Sequence, residues 1–179
     1  WTLTDVDFTD GPFMDVNTTA TTLTPASASV GTGVDITASA ITGINGGVGW
    51  LATDVGRQIF FNSGYATITA RTSATVAVAT ITTAFTNTDA TAAFQLGSFS
   101  DTTGHPSCVT FFEQRLVFAG TTDQPQTIFF SKSGDYENMD ENIGGTVADD
   151  DAMVYTIASN QVNAIRFMTA TRTLIIGTA

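Results

Sequence analysis

At 179 residues and 18.7 kDa the chain has room for one domain or two small ones, and 42% hydrophobic against 13% charged residues excludes disorder and long charged helices. Six basic against 17 acidic residues give a formal charge of −11. No lysine and arginine footprint therefore exists for tight DNA binding, while solubility, cation binding or a wall along which DNA slides without sticking all remain compatible with the charge.

The 16 glycines and the abundant threonine, a β-branched residue suited to a pleated surface, predict an all-β chain with many turns. Cys108 stands alone, so neither an intrachain disulfide nor a multi-cysteine metal site can form. The longest apolar runs fall far short of the roughly 20 residues of a spanning helix, and no membrane contact is expected. The chain opens on Trp1 without a leader pattern and ends in what reads as a strand cut short, so it is expected to be a piece of something longer.

Residues 1–24 carry Asp5, Asp7, Asp10 and Asp15 and are broken by Gly11 and Pro12, which predicts an extended arm. Residues 25–98 predict a small barrel or sandwich of five or six strands, from short β-branched runs at 34–38, 55–61, 65–71 and 75–83. Within them Asn62-Ser63-Gly64 separates two apolar runs and predicts a hairpin, and period two assigns Ile68, Ala70, Val76, Val78 and Thr80 to the inward face. Residues 97–106 are small and turn-forming and predict a connector; from 99 to 179 a second β unit follows. Its predicted strands are 108–112, 115–119 and 127–131, with Glu113-Gln114 as a turn.

The sequence from Arg115 to Thr121, Arg-Leu-Val-Phe-Ala-Gly-Thr, recurs from Arg172 to Thr178 as Arg-Thr-Leu-Ile-Ile-Gly-Thr, an offset of 57, with Cys108 and Phe111 answered by Ile165 and Met168. A repeat of a few strands at this spacing suggests propeller blades, the extra length being an acidic loop at 135–151. Long loops without strand pattern are functional or disordered, so the arm and this loop, with Asp140, Glu141 and Asp149, are the expected interface segments.

Catalytic constellations are thin. His105 lies three positions before Cys108, with Pro106 between them, and a connector histidine beside a buried strand cysteine is the plainer reading. Glu113, in a predicted hairpin turn, and Glu137 and Glu141, in a loop, would be the carboxylates of a glycan-cleaving site, although nothing brings them to a cleft. Asp5, Asp7 and Asp10 approach a calcium-loop start but lack its spacing. Asp149, Asp150 and Asp151, with Asp135, Glu137, Asp140 and Glu141, place seven acids in 17 positions and are the weak candidates for a cation site. An exposed loop or interface is the favoured reading, and no metal or cofactor is assigned. No phosphate-binding glycine loop is present. Phe111, Phe112, Phe118, Phe129 and Phe130 fall in predicted strands, where core packing is the default.

The run Gly104-His105-Pro106-Ser107-Cys108, continued by Phe111-Phe112-Glu113-Gln114-Arg115-Leu116-Val117-Phe118-Ala119-Gly120-Thr121, resembles a signature of tail proteins of short-tailed bacteriophages. The resemblance continues through Pro125-Gln126 and Ser133-Gly134-Asp135-Tyr136 to Asp150-Asp151-Ala152 and residues 157–165. Asp10-Gly11-Pro12-Phe13 and Asp54-Val55-Gly56-Arg57 match its lead-in. These motifs are similar to those of the tail tubular protein B, or nozzle, group. The resemblance implies a non-enzymatic virion component with a propeller-like platform, assembled as a homo-oligomeric ring, a hexamer by family pattern. Its partners would be tail and adaptor proteins, with DNA passing through the axis in transient contact. Arg115, Gly120, Gly134, Asp135 and Tyr136 are its structural motif residues; Arg115 is expected to bond carbonyls or pair with Asp135. Loop acids facing the lumen would repel phosphates within a Debye length of about 8 Å. The alternative is a carbohydrate-binding or adhesin-type β module using strand-borne aromatics and calcium.

Overall fold

A computed structural model describes residues 8, 10–143, 145–158 and 161–179. The protein is nearly all β, with 42% strand against 4% helix, and the helix among the described residues lies in two short 3-10 turns, Asn45–Gly47 and Ala52–Asp54. The described residues divide into two compact units, one of residues 13–102 and one of those from 103 onward together with residues 8 and 10–12.

The 13–102 unit is one antiparallel six-stranded sheet curled into a half-barrel. Its strands are β1 (Leu23–Pro25), β2 (Gly31–Ala38), β3 (Gln58–Phe61), β4 (Gly64–Arg71), β5 (Val76–Thr83) and β6 (Phe94–Leu96), in the order β1-β2-β5-β4-β3-β6. The curl brings the two margins together: Leu23 on β1 and Thr91, just ahead of β6, exchange backbone hydrogen bonds of 2.9 and 3.0 Å. Residues 13–24, expected in the arm, therefore belong to this unit. Leu23 is buried in its core and Phe13 bridges to Gly97. An arm with two large apolar side chains gains more by burying them than by staying extended in water.

Asn62 and Ser63 both take positive φ, 47° and 58°, forming the two-residue turn whose twist matches flanking strands. The core holds Ile36, Trp50, Ile59, Phe61, Ala66, Ile68, Ala77, Ala79, Ile81 and Phe94. The inward face of β5 is thus the opposite of the one expected: Ala77, Ala79 and Ile81 point in, while Val76, Val78 and Thr80 are half-buried and Ala70 is exposed. A bulge between Ile68 and Ala70 breaks the period, and the concave side of a tightly curled sheet has room for alanine where valine would crowd.

The second unit begins with a meander of β7 (Cys108–Phe112), β8 (Arg115–Ala119), β9 (Thr127–Phe130) and β10 (Met153–Thr156), antiparallel throughout. A hairpin of β11 (Ile165–Ala170) and β12 (Leu174–Thr178) follows. Glu113 and Gln114 (φ 46° and 61°) make the β7–β8 turn. Cys108, Val117, Ala119, Ile128 and Ile165 form one buried cluster, with Met168, Leu174 and Ile176 of the hairpin packed on it. Phe129 is buried as expected, but Phe111 is 60% exposed, because alternation along β7 gives the inward face to Cys108 and Phe112.

Candidate functional site

Arg115 opens β8 and is buried. Its Nη1 donates to the carbonyls of Ser131 (2.7 Å) and Asp151 (2.6 Å), and its Nη2 donates to the carbonyl of Asp149 (2.7 Å). A planar guanidinium presents several donors in a fixed fork, so one side chain can satisfy three main-chain acceptors at the root of the acidic loop. No pairing with the Asp135 carboxylate accompanies them. Ser131 Oγ accepts from the Leu116 N–H at 2.9 Å, closing the loop's entry onto the same strand.

The 135–151 loop is built rather than frayed. Asn138 and Asp140 each accept the backbone N–H two positions on, at 2.9 and 2.8 Å, making successive Asx turns. Ala152 donates to the Asp140 carbonyl (3.1 Å) and Ser133 to the Asp150 carbonyl (2.8 Å). The buried Asp151 carboxylate accepts from the Ala148 N–H (2.7 Å) and from Lys132 Nζ (3.1 Å). The Ala148 bond first, then Lys132, holds that carboxyl below the usual carboxylate range. In return the Asp151 bond, aided by the charge of Asp150 with a carboxylate oxygen 3.8 Å away, raises the Lys132 ammonium.

The three aspartates do not converge on a cation. Asp151 points inward, Asp150 is largely exposed, and Asp149 is exposed and supplies its backbone carbonyl to Arg115. Lys132 occupies the place a metal would need between Asp150 and Asp151. Among the described residues no three acidic, histidine or cysteine side chains gather for a metal ion. Asp5 and Asp7 lie outside the described residues. Asp10 has its carboxyl raised by burial and by the charge of Asp140.

Gly134 (φ 76°) turns the chain after Lys132, its N–H donating to the Gln114 carbonyl at 2.8 Å, and Lys132 bridges to Asp135. Tyr136 then lays its ring edge-on to Phe111, centroids 5.1 Å apart, at the exposed face of β7. Gly120 (φ 73°) follows β8, and a Cβ there would stand 2.9 Å from the Ile165 carbonyl oxygen, so glycine lets β11 approach β7 and β8 closely. In the second copy of the motif the ring of Phe167 covers Gly177 where a Cβ would project. Arg172, the counterpart of Arg115, is exposed.

His105 and Cys108 do not form a pair. The histidine is exposed, and the buried thiol has the Ser107 hydroxyl at 3.7 Å and the Ile165 carbonyl at 4.0 Å as neighbours. Glu113 sits exposed in the β7–β8 turn and Glu137 exposed in the loop. Glu141 lines a groove of about 530 Å³ along β10, together with Phe130, Val147, Met153 and Tyr155.

Two features escaped the reading of the sequence. The groove is one; the other is a buried ion pair in the half-barrel, Arg57 Nη1 to Asp54 Oδ1 at 3.1 Å. Asn45 joins both partners, donating to Asp54 (2.7 Å) and accepting from Arg57 (2.7 Å), while Arg57 Nε donates to the Gly97 carbonyl (2.7 Å). The signal was available, since an acid three positions before one of only six basic residues is an unusual juxtaposition in this chain. Compared with known proteins, the sequence matches no family model and no curated protein at a significant level.

Proposed function

We propose that the chain is a non-enzymatic structural component of a short-tailed bacteriophage tail, located in the virion and belonging to a nozzle-like homo-oligomeric ring through which DNA passes. In this reading the 103–179 unit is the start of a propeller-like platform, with β7–β10 as one blade and β11–β12 opening the next. The carrying observation is that a four-stranded meander is followed by a hairpin whose sequence echoes its first two strands at an offset of 57, with β7 and β11 adjoining at Cys108 and Ile165. Radially repeated four-stranded meanders are how propellers leave only short, protected edges. The exposed acids of the 135–151 loop suit a conduit that guides phosphates by repulsion, and tail and adaptor proteins would be the neighbours. Electron microscopy of the full-length parent protein tests the reading: a closed ring with a central hole is expected, and separate particles without a hole would overturn it.

A carbohydrate-binding module is the second reading, favoured by the exposed edge-to-face pair of Phe111 and Tyr136, whose ring surfaces suit sugar stacking. Binding on a glycan array would support it against the conduit.

A further inference from the structure

The meander ends on an edge that has its hydrogen-bonding groups turned outward. Ile157 donates its N–H to the Gln126 carbonyl at 3.0 Å, and the register pairs Tyr155 with Ile128 and Met153 with Phe130. Antiparallel alternation then turns the N–H and C=O groups of Tyr155 and Met153 toward β9 and those of Val154 and Thr156 away from it. Ala152 has the outward parity too, and its N–H is taken by the Asp140 carbonyl of the folded loop at 3.1 Å. Beyond that point, among the described residues, β10 has no strand beside it and is the last strand of its sheet. β7, at the opposite margin, has β11 packed against it.

The free edge borders the apolar groove. Val147, Tyr155 and Met153 in its wall are 70%, 62% and 46% exposed, an unusual grouping of large apolar side chains beside an unpaired edge. Its charge is one-sided. Glu141 lies in the wall, exposed Asp149 and Asp150 lie on the same loop, and the nearby Lys132 is already committed to Asp151 and Asp150. Arg115 is buried on the loop's carbonyls.

We infer that β10 is a docking edge for an extended, basic segment of a partner protein, which adds a strand by bonding Val154 and Thr156 and alternates apolar side chains in the groove with lysine or arginine toward the loop acids. Main-chain bonds would give affinity, and the alternation of apolar and cationic side chains would give specificity. The inference concerns an exposed surface of this chain and stands independently of ring assembly.

The test is titration of the whole chain with a short capped peptide alternating lysine with valine, beside the same peptide with glutamate for lysine. Amide exchange is followed by NMR. The lysine peptide is expected to bind and to slow exchange at Val154 and Thr156 by about tenfold or more, with weaker binding in high salt, while the glutamate peptide leaves both amides unchanged. Val154→Pro removes an outward donor without touching a β9 bond, as edge strands tolerate, and is expected to weaken binding by about tenfold. Equal binding of both peptides, no binding of either, or perturbation confined to amides away from β10 would overturn the inference. The exchange measurement on the unsubstituted chain decides the matter even if Val154→Pro fails to fold.

Discussion

Arg115 at the start of β8 and Asp151 at the end of the acidic loop are joined by a 2.6 Å hydrogen bond that spans 36 positions of sequence, and it is the backbone carbonyl of Asp151 that accepts it. The carboxylate of the same residue is left for Lys132 and the Ala148 N–H. One aspartate thus ties the loop to the sheet through its main chain and to itself through its side chain. The arginine acts as a clamp on three carbonyls, which follows from burial: a guanidinium withdrawn from water needs acceptors, and carbonyls at a loop root supply them.

Arg115→Ala leaves three acceptors at the loop root without this donor. Urea unfolding should show a loss of about 2–4 kcal/mol, with Arg115→Lys intermediate because an ammonium cannot reproduce the planar fork. An unchanged midpoint for Arg115→Ala would contradict the clamp.

In the half-barrel, Arg57→Leu strips the buried Asp54 of its charged partner and is expected to destabilise by about 3–5 kcal/mol. The double variant Asp54→Ala, Arg57→Leu should be less unstable than the sum of the two singles, as a double-mutant cycle would measure. Additive singles would show that the two side chains are not coupled.

The pH dependence has a defined sign. The Asp151 carboxyl is held below its usual 3.8, so its stabilisation is full above that value and is lost as pH falls through the lower folded-state value. The Lys132 ammonium is raised above 10.5, so its share is full below 10.5 and is lost as pH rises through the folded value. Asp10, raised above 3.8, has the opposite sign to Asp151 and offsets part of the acid loss. Asp151→Asn should therefore flatten the acid limb of midpoint against pH, and an acid limb as steep as in the unsubstituted chain would contradict the assignment.

Two glycines of the motif separate strain from collision. Gly134 has φ 76° and open space around its missing Cβ, so Gly134→Ala should cost about 1 kcal/mol of left-handed strain, and Asn should cost less. Gly120→Ala adds a clash with the Ile165 carbonyl to a similar φ and should cost about 2 kcal/mol or more, measured by thermal unfolding. Equal losses would mean that β11 does not press on Gly120.

Strand positions were most legible where local chemistry decides them. The Asn62-Ser63 and Glu113-Gln114 turns sit between apolar runs and came out where period and turn residues put them. The inward face of β5 was not legible, because Val76 and Val78 match the expected pattern as well as Ala77 and Ala79, and only the curl of the sheet chooses between them. β10 was missed for a different reason: four residues after a run of aspartates carry little pattern, and they become a strand because β9 offers them an edge. That Arg115 would bond carbonyls was legible, but which carbonyls was not, since donor and acceptors are 16 to 36 positions apart and the acceptors are backbone atoms that carry no sequence signal.

If the β7–β8 and β11–β12 hairpins are neighbouring repeats, the side chain of Ile165 must lie against the first hairpin. Methyl-edited NOE spectroscopy on isoleucine- and valine-labelled protein reads this directly. Cross-peaks from the Ile165 methyls to Cys108, Val117 and Ile128 are the expected result, and cross-peaks confined to β11 and β12 would contradict it.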